Sequence, residues 1–132
     1  MIQVKFCGIT NEEDALCAAN FGAAAVGFIF YDASPRYIEP SAARKIMVKL
    51  PSRVARVGVF VNESAAEIKR VMKYCGLDFI QLHGDETVAF CRRLPAKKII
   101  KAVALKSIDD VEDACAYKVA ALLADSRHAG LY

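Results

Sequence analysis

IQVKFCGITNEEDALCAANFGAAAVGFIF, residues 2–30, contains one complete structural repeat and sets the reading of everything after it. A short apolar run, IQVKFC (2–7), is followed by Thr10-Asn11-Glu12-Glu13, the pattern of a capping box that opens a helix. An alanine-rich helical segment runs to Gly22, and a second apolar run, AAVGFIF (24–30), completes the unit. Both runs are almost continuously apolar rather than alternating, which predicts strands covered on both faces, as in a parallel sheet.

The same unit recurs along the chain. VARVGVFV (54–61), DFIQLH (78–83), KIIKAVAL (98–105) and KVAALLA (118–124) are the further strand candidates. Their starts are about 20 to 30 residues apart, the period of strands joined by crossover helices. Pro40 suits the first position of a second helix, and Pro51 follows its end. Ser64-Ala-Ala-Glu67 is a second capping box, followed by Ile68, Val71, Met72 and Cys75 on one helical face and by Gly76 as a stop. A short fourth helix is expected near 86–93, and Ser107 can cap a fifth with Ile108, Val111 and Cys115 on one face. The expected class is α/β, one domain over 1–132, with six parallel strands and five helices in the order (βα)₅β. That alternation suits an open doubly wound sheet or a closed eight-stranded barrel, and length alone favours the open sheet, because a barrel needs about 200 residues or more.

The chain is 55% hydrophobic and 25% charged, the balance of a globular protein with a sizeable core. A net charge of +3, spread along the chain, gives no nucleic-acid footprint but suits a small anionic substrate. The longest apolar stretch, 21–31, is too short and too rich in Gly and Ala to span a membrane. The five cysteines are widely spaced and form no CxxC pair, which argues against a zinc site or a disulfide framework and for a reduced, cytoplasmic protein. Cys17, Cys75, Cys91 and Cys115 fall at apolar helix positions and are expected to be small core residues.

Residues at the carboxyl ends of parallel strands share one face, where ligands bind. Cys7-Gly8 ends the first strand, Ser34-Pro35-Arg36 follows the second and Asn62 the third; His83-Gly84-Asp85 ends the fourth and Asp125-Ser126-Arg127 the sixth. Each has a plainer reading. Cys7 reads equally as a packed thiol, Arg36 as a solvated loop residue, His83 as help for the next helix cap, and Asp125 as an N-cap. No GxGxxG or P-loop pattern occurs, and His128 attracts no role.

Six segments in order then carry a resemblance. VKFCGIT (4–10), GFIFYDASPRYI (27–38), VGVFVNE (57–63), IQLHGDE (80–86), IKAVAL (100–105) and LLADS (122–126) are similar to the motifs of phosphoribosylanthranilate isomerases. The resemblance implies a (β/α)₈ barrel, so that the motifs overrule length, and an Amadori rearrangement of N-(5-phosphoribosyl)anthranilate in L-tryptophan biosynthesis. It implies Cys7 as general base, Asp125 as general acid, Arg36 as the group that binds the anthranilate carboxylate, and a supporting, substrate-binding place for His83. It implies no cofactor and no metal, a small phosphorylated substrate as partner, and a monomer or homodimer when complete. In the family a Gly-Gly-Thr-Gly phosphate segment and two more strands follow the Asp125 loop. The 132 residues therefore correspond to a C-terminally incomplete barrel domain, expected to lack activity alone. A different sugar-phosphate barrel enzyme has no reason to carry CGIT and SPR together. A non-catalytic α/β module with an open six-stranded sheet is the remaining alternative.

Overall fold

The computed structural model describes residues 2–125; residue 1 and residues 126–132, His128 among them, lie outside the described residues. Six strands form one parallel sheet: β1 (Lys5–Cys7), β2 (Ala25–Ile29), β3 (Ala55–Phe60), β4 (Phe79–Leu82), β5 (Ile99–Ala104) and β6 (Ala121–Asp125). The helices between them are α1 (Glu12–Asn20), α2 (Pro40–Met47), α3 (Ala65–Cys75), α4 (Val88–Cys91) and α5 (Ile108–Ala114). The expected count and alternation are both present. Strand order is strictly sequential, β1-β2-β3-β4-β5-β6. A doubly wound sheet reverses its order at a switch point, whereas successive right-handed crossovers without reversal keep every helix on one side and curl the sheet. The result is the open wall of a barrel, and the doubly wound sheet that length favoured is wrong.

Register fixes which side chains face in. Cys7 is opposite Gly27, Gly27 opposite Val57, and Val57 opposite Phe79, while Gln81 lies beside Val59 and Ile100. Neighbours across a parallel ladder point the same way, so these residues line the concave face and their alternates meet the helices. Val26, Phe28, Phe60, Ile80, Leu82 and Ile99 are fully or nearly fully buried on that outer face, with Met47, Ile68 and Val71 from α2 and α3. Each such side chain contributes roughly 1.5–3 kcal/mol by leaving water.

Several local expectations are corrected. Asn11, not Thr10, caps α1: its Oδ1 accepts from the Asp14 amide at 2.8 Å and its Nδ2 donates to the Asp14 carboxylate at 2.7 Å. Ser64 does cap α3, but Glu67 turns to Arg70 rather than back to the cap, and Glu63 serves the Ser64 amide instead. The full reciprocal box is made at Ser107 and Asp110. Cys75 and Cys91 are buried as expected, whereas Cys17 and Cys115 are exposed. Ile108 and Val111 are likewise exposed, while Ala114 at the end of α5 is buried and Tyr117 after it packs against the core.

One buried ion pair organises the upper rim. Lys101 and Glu86 are 2% and 5% exposed and meet at 3.0 Å on the outer face of β5. The Lys101 ammonium also donates to the carbonyls of Gly84 (2.8 Å) and Ala102 (3.0 Å), and Glu86 Oε1 accepts from the amides of Asn62 and Gly84. Removing one partner strands the other charge in a dry site. Lys101→Ala in the full-length protein is expected to cost roughly 3–5 kcal/mol in urea unfolding, with the Lys101→Met, Glu86→Leu double variant recovering much of it. Equal losses in the single and double variants would remove the charge argument.

Candidate active site

The upper rim of the sheet carries two groups of polar side chains on opposite flanks. On the β1–β2 flank, the chain leaves β1 through Gly8, whose φ of +89° belongs to the left-handed region that favours glycine. The amides of Gly8 and Ile9 both donate to the Gly27 carbonyl, at 2.9 and 3.0 Å, and so pin the exit from β1 to β2. The loop after β2 curls back: the Ile38 amide donates to the Ile29 carbonyl at 3.1 Å, and Ser34 Oγ accepts from the Arg36 amide at 3.2 Å. This return delivers the exposed Arg36 guanidinium over Gly8, where Nη1 donates to the Cys7 carbonyl at 2.9 Å. A Cβ on Gly8 would lie 2.5 Å from that nitrogen, so glycine is required by the backbone angle and by the arginine alike.

Cys7 points inward and is partly exposed. Its Sγ and the Lys5 Nζ lie 2.9 and 3.3 Å from the place a Gly27 Cβ would take, so the bare backbone of Gly27 makes room for a thiol and an ammonium side by side. Burial pushes the Cys75 and Cys91 thiols up from the ordinary value, the condition of inert core thiols.

On the β4–β6 flank, His83 Nε2 lies 3.0 Å from Asp125 Oδ2 at the end of β6. On the other side of the ring, His83 Nδ1 lies 2.8 Å from the amide nitrogen of Gln81, which is 2% exposed. The loop that follows is held by Asn62, in left-handed geometry at φ 52°, whose Oδ1 accepts from the Asp85 amide at 2.7 Å. Glu86 closes it from behind.

The structure therefore brings Arg36 to Cys7 and His83 to Asp125, and places the two pairs at opposite ends of the curled sheet. Lys5 and Gln81 join them and were missed by the sequence reading. Their signal was available: each is a polar residue inside an apolar strand, two positions from a rim residue and so on the same face. Among the described residues, no group of three His, Cys, Asp or Glu side chains is placed to hold a metal ion.

The model of the N-(5'-phosphoribosyl)anthranilate isomerase family matches residues 4–131. The chain belongs to that family. An isomerase of this name from Syntrophus aciditrophicus (strain SB) is 48% identical over the whole chain, and one from Thermotoga neapolitana is 49% identical over 98% of it. The chain spans 57% and 64% of those relatives, less than two thirds of their length. Among solved structures, phosphoribosyl anthranilate isomerase from Thermotoga maritima superposes with a TM-score of 0.90 at 46% identity, covering 98% of this chain and 65% of that one. A second solved isomerase, in complex with reduced 1-(o-carboxyphenylamino)-1-deoxyribulose 5-phosphate, gives 0.87 at 48% identity over 95% and 65%. The (β/α)-barrel expectation and the family assignment both hold.

Gly8→Ala tests the arginine flank. The left-handed angle costs about 1–2 kcal/mol for a residue with a Cβ, and that Cβ displaces Arg36. In the full-length protein we expect a lower unfolding free energy together with weakened binding of an aryl carboxylate ligand. A stability loss with unchanged ligand affinity would show that Arg36 does not need this seat.

Proposed function

We propose that the full-length protein isomerises N-(5-phosphoribosyl)anthranilate to 1-(2-carboxyphenylamino)-1-deoxyribulose 5-phosphate in tryptophan biosynthesis. The observation that carries this reading is the opposed placement of Arg36 with Cys7 and of His83 with Asp125. An Amadori rearrangement needs one acid and one base on opposite sides of a sugar. Asp125 protonates the furanose oxygen as the anthranilate nitrogen forms a Schiff base. Cys7 then takes the proton from C2′ to give the enolamine, which tautomerises to the ketone. The substrate nitrogen is the electron sink. The solved complex of a relative with the reduced product supports this substrate class.

Arg36 anchors the anthranilate carboxylate. One of its five N–H donors is committed to the Cys7 carbonyl, which fixes the plane of the guanidinium and leaves the rest of the fork for a planar acid. The Lys5 ammonium and the Cys7 thiol share the space over Gly27, which places a cation on the base's flank of the site. His83 is a hydrogen-bond partner of Asp125 in this reading and holds a supporting place at the substrate. Activity is assigned to the full-length protein, because the chain spans less than two thirds of the length of these relatives.

One Thermotoga maritima relative is a dimeric enzyme, which supports a homodimer over a monomer for the full-length protein. Among the described residues no helix is long and apolar enough to cross a membrane. A cytoplasmic location is proposed from the five free thiols.

Turnover in the full-length enzyme tests these roles. Cys7→Ser and Asp125→Asn should each lower kcat by about 10²- to 10⁴-fold with folding retained by circular dichroism. A folded Cys7→Ser enzyme that keeps more than about a tenth of the wild-type kcat would remove Cys7 as the base. Arg36→Ala should act differently, raising KM by at least about tenfold, because a charge-assisted pair contributes roughly 1.5–3 kcal/mol. Arg36→Lys should rescue it poorly, a point charge replacing a planar fork. Unchanged KM and kcat in Arg36→Ala would place the carboxylate elsewhere.

A further inference from the structure

Gln81 is buried on the concave face of β4 and has no assigned part in the reaction. Its amide nitrogen contacts His83 Nδ1 at 2.8 Å, and its Oε1 is buried without a hydrogen-bond partner among the described residues. An amide nitrogen only donates, so His83 Nδ1 accepts with its lone pair. A neutral imidazole has one N–H, which then sits on Nε2 and is donated to Asp125 Oδ2 at 3.0 Å.

Turning the amide over would let Oε1 accept from Nδ1 and favour the other tautomer. It would also put both amide N–H donors where Oε1 now finds no partner. Buried orphan donors are rarer and costlier than an under-used carbonyl, which has two lone pairs. Burial of the amide therefore selects its orientation, and the orientation selects the tautomer.

We propose that Gln81 is a positioning residue that fixes His83 as the Nε2–H tautomer and thereby decides which oxygen of Asp125 carries the transferable proton. This rests on Asp125 acting as the acid. With Nε2–H aimed at it, Oδ2 is an acceptor in both states of the carboxyl group, so the proton resides on Oδ1, the oxygen left to the substrate. In the first step the Oδ1–H bond breaks and the proton passes to the furanose oxygen. The C1′–O bond electrons go to that oxygen, and the nitrogen lone pair forms the C1′=N bond. The carboxylate left behind already has its second oxygen hydrogen-bonded, so the charge develops against a donor in place. A residue that orients an imidazole through its second nitrogen works in this way in other active sites.

The tautomer is read directly by two-bond ¹H–¹⁵N correlation of the full-length enzyme labelled at histidine, with His83 assigned by comparison with His83→Gln. The expected wild-type spectrum has His83 protonated at Nε2 and bare at Nδ1. Gln81→Glu, which offers only acceptors, should protonate Nδ1. Gln81→Met, matched in length but without hydrogen bonds, should populate both tautomers. Both variants should lower kcat by about 10- to 100-fold while KM stays within about twofold. A wild-type His83 protonated at Nδ1 alone overturns the proposal, and this needs no variant to fold. So does a Gln81→Met enzyme with the wild-type tautomer and kcat. A wild-type Nε2–H signal together with a fully active Asp125→Asn enzyme would overturn the Oδ1 assignment through failure of the acid role, an outcome distinct from failure of the tautomer.

Discussion

The upper rim depends on a charge pair that never reaches the ligand face. Lys101 rises from the outer side of β5 and gathers the carbonyls of Leu82, Gly84 and Ala102 and the Glu86 carboxylate around one ammonium. Glu86 passes the restraint to Asn62 on the loop after β3, and Tyr117 after α5 donates to the Glu86 carbonyl at 2.9 Å. Three loops are thereby tied behind the sheet. His83, one residue before Gly84, inherits a fixed backbone, and the hydrogen bonds of its ring are made against that support. Satisfied on every side, a dry ion pair of this kind specifies geometry more than it stabilises.

The second constraint is the parity of the strands. In a ladder of period two, each inward residue belongs to a horizontal layer shared with its neighbours. The lower layers are filled by Ala25, Ala55, Val57, Phe79, Ile100 and Ala121, which surround an apolar hollow at the foot of the sheet. Above them Cys7, Gln81 and His83 take the inward positions, and Lys5, rooted in the layer of Ala25 and Ala55, extends its ammonium up towards Gly27. Chemistry is thus confined to the rim by register, and a one-residue slip of β4 would send Gln81 and His83 into the helix layer and bring Leu82 into the mouth.

Much of this was legible in residue order. The alternation of apolar runs with capped helices marked every strand and helix, since hydrophobic period and cap chemistry are local properties. Closure was not local: the curl follows from sequential pairing, which composition cannot express, and only motif resemblance stood against the open sheet that chain length favoured. The cap of α1 was misplaced by one residue because Thr10 and Asn11 are both good caps and the difference is decided by backbone angle. The apolar stripe of α5 misled because periodicity states which residues share a face, not whether a partner covers it. Of the site, the rim residues Cys7, Arg36, His83 and Asp125 were visible from their places at strand ends. Gln81 and Lys5 were not, because a polar residue inside an apolar strand was absorbed into the strand.

The sequential strand order has a consequence for how the wall is assembled. Among the described strands, each from β2 to β6 finds its partner in the strand made just before it, so each of these pairings closes a loop of one helix. Such a topology keeps contacts short in sequence and lowers the entropy that must be lost before contacts reward it. The wall can grow as the chain is synthesised, one βα unit at a time, with each new strand hydrogen-bonding to a finished template. The liability falls on β1. Its outer edge, flanked by the half-exposed Val4 and Phe6, carries open main-chain donors and acceptors from the first moment of folding, and until another strand pairs with it, it is the place where a second chain would add.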